Sequence, residues 1–173
     1  MPVIMASIGM NPPFALRDVQ EQDSPFLLAL FKTARAFIFD RMPLPEPQKE
    51  ALIRQQFEAQ RTSYKAQFPG SQHSIILSGD TGIGQIWIAR SSEEYRIVDV
   101  SVVPEYRNRG IGSSVVRQFM AEAAEAGLPL RCTVQWANPG SLRFHQRLGF
   151  QIVSQDLADY ALEYRPLPGP AQK

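Results

Sequence analysis

A short turn over residues 107–112 carries residue types that bind anions. It reads Arg107-Asn108-Arg109-Gly110-Ile111-Gly112, so two arginines and two glycines fall within six residues. Glycine lets the backbone approach a ligand closely, and the free N–H groups at the start of a helix favour negative charge. The turn therefore predicts a site for a phosphate or diphosphate group.

A strand and a helix position this turn. The β-branched run over 97–103 predicts a strand, and Pro104 ends it because proline has no N–H to donate to a sheet. Apolar residues at helical spacing over 111–126 predict the helix. Two other phosphate-binding patterns do not match, since Val115 replaces the third glycine of the dinucleotide pattern and no Gly-Lys-Ser/Thr follows.

A second segment, over 138–150, reads as an asparagine-capped helix that ends in Leu-Gly-Phe and leads into a strand. The two segments, in this order and separated by one strand, resemble those of the GNAT superfamily of N-acetyltransferases. The resemblance implies acetyl-coenzyme A as the cosubstrate and a primary amine, in a small molecule or a peptide, as the acceptor. The residues implied to bind the cosubstrate are Val102, Val103, Arg107, Asn108, Arg109, Gly110, Ile111, Gly112, Ser113 and Asn138.

The other elements predict a mixed α/β fold. Strands are predicted over 14–19, 73–77, 83–90, 95–103, 130–135, 150–154 and 160–165, and helices over 24–39, 47–66, 111–126 and 139–148. Their order predicts a mostly antiparallel sheet of six to seven strands with helices on both faces. The resemblance adds a central parallel pair, 95–103 beside 130–135, that splays apart to admit the pantetheine arm.

Candidates for the chemistry follow from the resemblance. It places the backbone N–H of Val102 or Val103 where it could stabilise the developing negative charge on the thioester oxygen. His145 occupies the position at which the family usually has a tyrosine that protonates the thiolate. An imidazolium, with a reference pKa of about 6.5, could deliver that proton near neutral pH. Alternatively, His145 only caps a partly exposed face of its helix.

Asp99 is the candidate general base. It shares one strand face with Ser101, while Val98, Val100 and Val102 are predicted to take the other face. Burial would raise the pKa of this carboxyl and let it accept a proton. It could equally be an anchor that is hydrogen-bonded to a neighbouring strand, and the sequence leaves both roles open.

Departures from the family pattern keep a rival function open. Arg96 stands where some members carry a catalytic glutamate, which leaves Glu94 as an outside candidate for the base. Since His145 replaces the usual tyrosine, the chain could instead be a catalytically weak sensor that binds acyl-coenzyme A.

The acceptor is predicted to contact the proline-rich connection over 38–47, through the apolar Phe39 and the charged Asp40 and Arg41. The alternative is that the apolar residues of this connection pack back on the helices. Which amine is used does not follow from the sequence, because this fold serves many acceptors.

Length and composition bound the domain organisation and the partners. A chain of 173 residues predicts one domain, over 14–165, with a flexible extension over 1–13 and a loose proline-rich tail over 166–173. A net charge of +1 argues against a nucleic-acid or membrane partner. With no signal or spanning segment recognisable, a cytoplasmic location is expected, and a homodimer is left open. The single Cys132 is predicted to be a buried, inert thiol, and no metal-ligand spacing is present.

Overall fold

Seven strands form one mixed sheet in the computed structural model, which describes residues 14–166. The strands are β1 (Ala15–Asp18), β2 (Gln72–Ser78), β3 (Thr81–Arg90), β4 (Tyr95–Val102), β5 (Leu130–Gln135), β6 (Gln151–Gln155) and β7 (Asp159–Tyr164). The helices are α1 (Ser24–Ala34), α2 (Ala36–Phe39), α3 (Glu46–Gln67), α4 (Ile111–Glu125) and α5 (Pro139–Arg147). The predicted N-terminal extension and, beyond Pro166, the predicted tail lie outside the described residues.

The strand order is β1-β2-β3-β4-β5-β7-β6, and every neighbouring pair is antiparallel except β4 and β5. Helices cover both faces of this sheet. Ile75 and Ile76 show the division, because these successive residues of β2 point into two different cores. Ile75 packs with α1 and α3, whereas Ile76 belongs to the larger core beneath α4. The predicted fold class is therefore confirmed.

The first predicted helix is interrupted. Arg35, with φ −113° and ψ 15°, separates α1 from the single turn of α2. The local sequence has neither glycine nor proline at this position, so no breaker residue marked the interruption. The break turns Phe39 back towards the core, where its ring centroid lies 6.0 Å from that of Phe31.

The central parallel pair splays as expected. Pairing between β4 and β5 covers only Tyr95 to Ile97 on β4, although β4 continues to Val102. A chain of ion pairs joins β5 to its two neighbours near the paired end. Arg131 bonds Glu94, just before β4, and Glu163 on β7, and Glu163 is only 8% exposed. A network of this kind stabilises more than isolated surface pairs do, so the closed end of the gap is well defined.

A β-bulge sets which residues of β4 face the gap. Ile97 pairs with Ile88 and Asp99 pairs with Trp87, so Val98 is the extra residue. Ile97 and Val100 consequently both join the core beneath α4, whereas Val98 is not part of that core. The predicted grouping of Val98 with the core valines is therefore wrong, because a strict two-residue alternation does not continue through a bulge.

Gly84 lets β3 approach β4 closely beside this bulge. A Cβ atom on Gly84 would lie 2.3 Å from the backbone oxygen of Ser101, which is shorter than any van der Waals contact allows. The backbone of β4 cannot yield without disturbing the strand that borders the gap. Only glycine fits here.

Replacing Gly84 with alanine should therefore lower the free energy of unfolding, by about 1–3 kcal/mol, which is the usual cost of overpacking a core. Urea unfolding followed by circular dichroism measures this. Gly140→Ala is the matched control, because a Cβ there would have its nearest contact at 3.7 Å and alanine favours a helix. Equal stability of Gly84→Ala and the parent protein would show that β3 and β4 are not this close.

Candidate functional site

The turn over 107–112 has the geometry of an anion site. Gly110 is the N-cap of α4 and adopts φ 77°, while Asn108 adopts φ 58°. The first backbone hydrogen bond of the helix is donated by Ser114 to the Gly110 oxygen, at 2.9 Å. The N–H groups of residues 111–113 precede it, so they are the open donors of the helix start. The second positive φ in this turn belongs to Asn108, whereas Gly112 lies within α4.

Two arginines lie beside these donors. Arg107 donates from Nε to the Val102 oxygen at 2.9 Å, which ties the turn to the end of β4. Arg109 stacks on Tyr106, with 5.1 Å between its Cζ and the ring centroid. Both side chains are exposed, and they add positive charge next to the helix dipole.

The backbone at the end of β4 separates the two predicted oxyanion donors. Val103 donates its N–H to the Ile83 oxygen at 2.8 Å, so this group is already used within the sheet. Successive N–H groups of a strand point to opposite edges, and the N–H of Val102 therefore points towards the gap. The contact of Arg107 with the Val102 oxygen lies on that same edge. Val103 does not fit the predicted role, which stays a prediction for Val102.

Two cavities meet in the gap. The first, here called the turn cavity, has a volume of about 460 Å³ and is lined by the 107–113 segment together with Phe144. The second, the inner cavity, has a volume of about 380 Å³ and lies beneath α1 and α3. Their walls share Ala34, Val100, Ser101, Asn138, Ser141 and His145. The two cavities form one cleft with a junction at these residues.

His145 is buried at the junction. It is 3% exposed and packs edge-on between the rings of Phe144 and Phe150, at 5.0 and 5.3 Å. Its Nδ1 lies 2.9 Å from the Ser141 backbone oxygen, which can only accept, so Nδ1 carries the proton. Its Nε2 is buried and has no hydrogen-bond partner among the residues that the structure describes. The alternative of an exposed helix cap is therefore wrong.

The environment of His145 favours the neutral ring. Burial lowers the pKa of this imidazole from its usual 6.5, and the hydrogen bond to Ser141 opposes the shift only in part. A neutral ring protonated on Nδ1 presents a bare Nε2, which accepts a proton but has none to donate. The predicted acid role thus requires that His145 first take up a proton.

Asp99 is anchored to a neighbouring strand and also lines the cleft, so its role as the general base stays a prediction. Its carboxylate lines the inner cavity and accepts a hydrogen bond from Gln85 Nε2, on the neighbouring strand β3, at 3.0 Å. Gln85 Oε1 in turn lies 2.7 Å from His73 Nε2, and the His73 ring stacks on Trp87. The carboxyl is therefore held in one orientation. Burial raises the pKa of Asp99, and the positive charge of Arg35 opposes this rise.

The outside candidate for the base is excluded by its contacts. Glu94 is bonded to Arg96, at 2.7 Å, and to Arg131. Both guanidinium groups stabilise its carboxylate, and Glu94 lines neither of the two cavities. Glu94 is part of the ion-pair chain and not of the site.

Asn138 caps α5 as predicted, since its Oδ1 accepts a hydrogen bond from the Ser141 backbone N–H at 3.0 Å. The cap fixes the start of the helix that carries His145 one turn later. Because Oδ1 is used, the amide NH₂ of Asn138 is the part of this side chain that remains for a ligand at the junction.

The chain that forms this cleft is similar to a known family of enzymes. The model of the acetyltransferase (GNAT) family matches residues 37–150. This chain is a member of the GNAT acetyltransferase family. Membership confirms the predicted family and, with it, acetyl-coenzyme A as the acetyl donor. Among curated proteins, no sequence matches the chain.

Solved structures agree with this GNAT assignment at the level of the fold. The PaiA N-acetyltransferase of Thermoplasma acidophilum, crystallised with coenzyme A, has a TM-score of 0.67 at 16% identity, over 88% of this chain and 99% of that one. An acetyltransferase of Thermus thermophilus has a TM-score of 0.64 at 19% identity, over 88% and 97%. Ard1 of Thermoplasma volcanium has a TM-score of 0.59 at 19% identity, over 90% and 99%.

The GNAT cleft contains residues that no sequence pattern indicated. Arg35, Phe37 and Tyr64 line the inner cavity. Burial, followed by the charge of Asp99, raises the pKa of the Tyr64 phenol well above its usual value. Gln85, in contrast, could have been noticed, because it is a lone amide within the apolar run over 83–88.

The predicted acceptor residues of this GNAT protein lie elsewhere. Phe39 is 2% exposed and belongs to the core between α1 and α3. This agrees with the alternative that the apolar residues of the connection pack back on the helices. Asp40 and Arg41 are exposed, and all three are missing from the walls of both cavities. The interruption at Arg35, not the connection that follows it, is the part of this region that reaches the cleft.

Two further observations concern the single cysteine and the length of the helices. Cys132 is 3% exposed, and burial raises the pKa of its thiol to about 12, which confirms the buried, inert thiol. Over residues 14–166, no helix is both long enough and apolar enough to cross a bilayer.

The burial of His145 predicts a pH dependence of stability. Because its folded pKa lies below the unfolded value of about 6.5, the unfolded chain binds a proton that the folded chain does not, and stability falls as pH drops below about 6.5. His145→Phe should reduce this loss, by at most about 1.4 kcal/mol per pH unit. Urea unfolding between pH 7.5 and 5.5 measures the difference between parent and variant.

Taking that difference removes the contributions that both proteins share. His73, the other histidine of the chain, has a pKa that burial also lowers, and Asp99 acts in the opposite direction. Identical pH profiles for the parent and His145→Phe would mean that the imidazole is hydrated in the folded state.

Proposed function

We propose that this GNAT protein transfers the acetyl group of acetyl-coenzyme A to a primary amine by direct attack, without a covalent acyl-enzyme. The observation that carries the proposal is the junction of two cavities at the splayed end of β4. One cavity contains the anion-binding turn and the other contains an anchored carboxylate, Asp99, as a donor site and an acceptor site would require.

The residues present suit the donor. The open N–H groups of residues 111–113, with Arg107 and Arg109, would hold the diphosphate. Apart from its two chain neighbours, no residue that the structure describes has an atom within 4 Å of a Cβ built on Gly110, so the approach is clear. The unpaired edge of β4 would bind the amides of the pantetheine arm as an added strand does, and the NH₂ of Asn138 would assist at the junction. When bound, the cosubstrate supplies an activated acetyl group with a thiol as its leaving group.

The N–H of Val102 would stabilise the negative charge that develops on the thioester oxygen during attack. This donor is fixed by the sheet, because β3 holds the other edge of β4 through the bond from Val103 to Ile83. A donor that is already oriented costs no reorganisation, and loss of one such donor commonly lowers a rate about 10²–10³-fold.

The amine loses two protons during the reaction, and a different side chain would accept each of them. Asp99 would bind the ammonium form of the acceptor and take its proton, either directly or through water, to free the attacking lone pair. As the nitrogen–carbon bond forms and the carbon–sulfur bond breaks, the nitrogen loses a second proton. The bare Nε2 of His145 would accept this proton and return it to the leaving sulfur, so that proton transfer balances and His145 ends neutral.

The rival function, an acyl-coenzyme A sensor, needs only the turn cavity. An inner cavity with a carboxyl held by Gln85 and His73 is not required for sensing, which favours the enzyme. A panel of primary amines incubated with acetyl-coenzyme A, with release of free thiol and mass spectrometry of the products, tests the proposal. An N-acetylated product supports the enzyme, whereas cofactor binding without turnover of any amine supports the sensor.

Gly110→Val should remove the increase in melting temperature that acetyl-coenzyme A causes by binding the folded state. A β-branched residue at positive φ costs about 1–2 kcal/mol, and the added side chain would block the diphosphate. Differential scanning fluorimetry with and without acetyl-coenzyme A measures the shift.

Gly127→Val is the matched control, because Gly127 has φ 68° and no neighbouring atom within 4 Å but stands at the far end of the same helix. It should be destabilised similarly and keep the ligand-induced shift. A full shift in Gly110→Val would remove the turn from the site.

His145→Phe should lower kcat, by about 10²–10⁴-fold if proton transfer at this ring is general acid–base catalysis, while the affinity for acetyl-coenzyme A changes little. His145→Tyr should retain part of the rate, since a phenol can donate a proton. Steady-state kinetics with an accepted amine measures both. A parental rate in His145→Phe would mean that water or another residue protonates the sulfur.

A further inference from the structure

Arg35 presents a fixed cation to the inner cavity. The helix interruption at this residue brings Ala34, Arg35 and Phe37 into the cavity wall. The guanidinium carbon of Arg35 lies 4.2 Å above the centroid of the Phe31 ring, and Phe31 is 4% exposed. Stacking on a buried ring restricts the side chain while its N–H donors stay free at the edge of the guanidinium plane.

Arg35 has no carboxylate partner within the part of the chain that the structure describes. Arg96, the other arginine that lines the inner cavity, is bonded to Glu94 at 2.7 Å. Arg35 and Asp99 both line the inner cavity, and the charge of Arg35 acts on the Asp99 carboxyl, yet the two groups form no direct ion pair. Because both groups line one cavity and do not bond to each other, a ligand in this cavity that carries both charges can bond to each of them.

Asp159 is the second carboxylate in the cavity wall, and it would suit a second cation on the acceptor. It lies at the start of β7, opposite Gln135 at the end of β5. Its charge acts on Tyr64, whereas Arg35 acts on both Tyr64 and Asp99. Arg35 is thus the cavity-wall cation whose charge acts on the candidate base, Asp99.

The geometry points to an acceptor that carries a carboxylate beside its primary amine, as an amino acid or a peptide with an acidic group near the amine does. Asp99 binds the ammonium group and Arg35 binds the carboxylate, through charge-assisted hydrogen bonds that the planar guanidinium can make in pairs. This substrate class rests on the proposed acetyltransferase function and narrows its acceptor.

The test compares amino acids with their amides, because each pair differs in the carboxylate alone. For the parent protein, kcat/KM should favour the acid over the amide by about 10- to 100-fold, the range expected for hydrogen bonds to a charged group. Arg35→Met keeps the length and apolar stem of the side chain but removes the charge, and it should bring this ratio close to one. Diamines are tested separately, because Asp99 and Asp159 together would bind the two ammonium groups of a diamine.

Arg41→Met is the matched control, because Arg41 is an exposed arginine six residues away that lines neither cavity. It should keep the preference for acids, and both variants should keep the parental melting temperature. A parent protein that favours amides or diamines, or an acid preference that survives in Arg35→Met, would overturn the substrate class and leave the acetyltransferase function intact. Failure to acetylate any amine would overturn both.

Discussion

Parallel pairing of β4 with β5 stops at Ile97, and the cleft exists because β4 continues without a partner on that edge. An unpaired backbone group that is withdrawn from water costs about 1–3 kcal/mol, so such an edge persists only when other contacts hold it in place. Here β3 holds the opposite edge, through the close approach at Gly84, and the ion pairs of Arg131 hold the closed end. The open edge is then available to a ligand.

The same strand supplies polar groups to both cavities without disrupting the core. The bulge at Val98 lets Ile97 and Val100 pack beneath α4 while Asp99 faces the inner cavity. A buried carboxyl is costly unless it is hydrogen-bonded, and the amide of Gln85 meets that requirement from the neighbouring strand. The proposed base, Asp99, is thus part of the sheet, which holds its carboxyl rigidly in the wall of an open cleft.

Much of this arrangement follows from local patterns. The turn over 107–112 and the cap at Asn138 are encoded by residues adjacent in sequence, and strand and helix periods set the element order. The break at Arg35 and the burial of Phe39 and His145 depend instead on contacts between distant segments, which periodicity does not report. The alternating pattern assigned Val98 of β4 to the wrong face for a related reason. A bulge changes the face on which the following side chains lie, and no residue such as glycine marks it in the sequence.

Backbone amide resonances offer the most direct test of how this cleft uses its open edge. Titration of acetyl-coenzyme A into ¹⁵N-labelled protein should shift the amide signals of Val102 and of residues 111–113, because these N–H groups gain acceptors. The signal of Val103 should change much less, since its N–H is already bonded to Ile83. Unchanged signals for Val102 and the turn, with the largest shifts elsewhere, would contradict the assignment of the splayed strand and the turn as the acetyl-donor site.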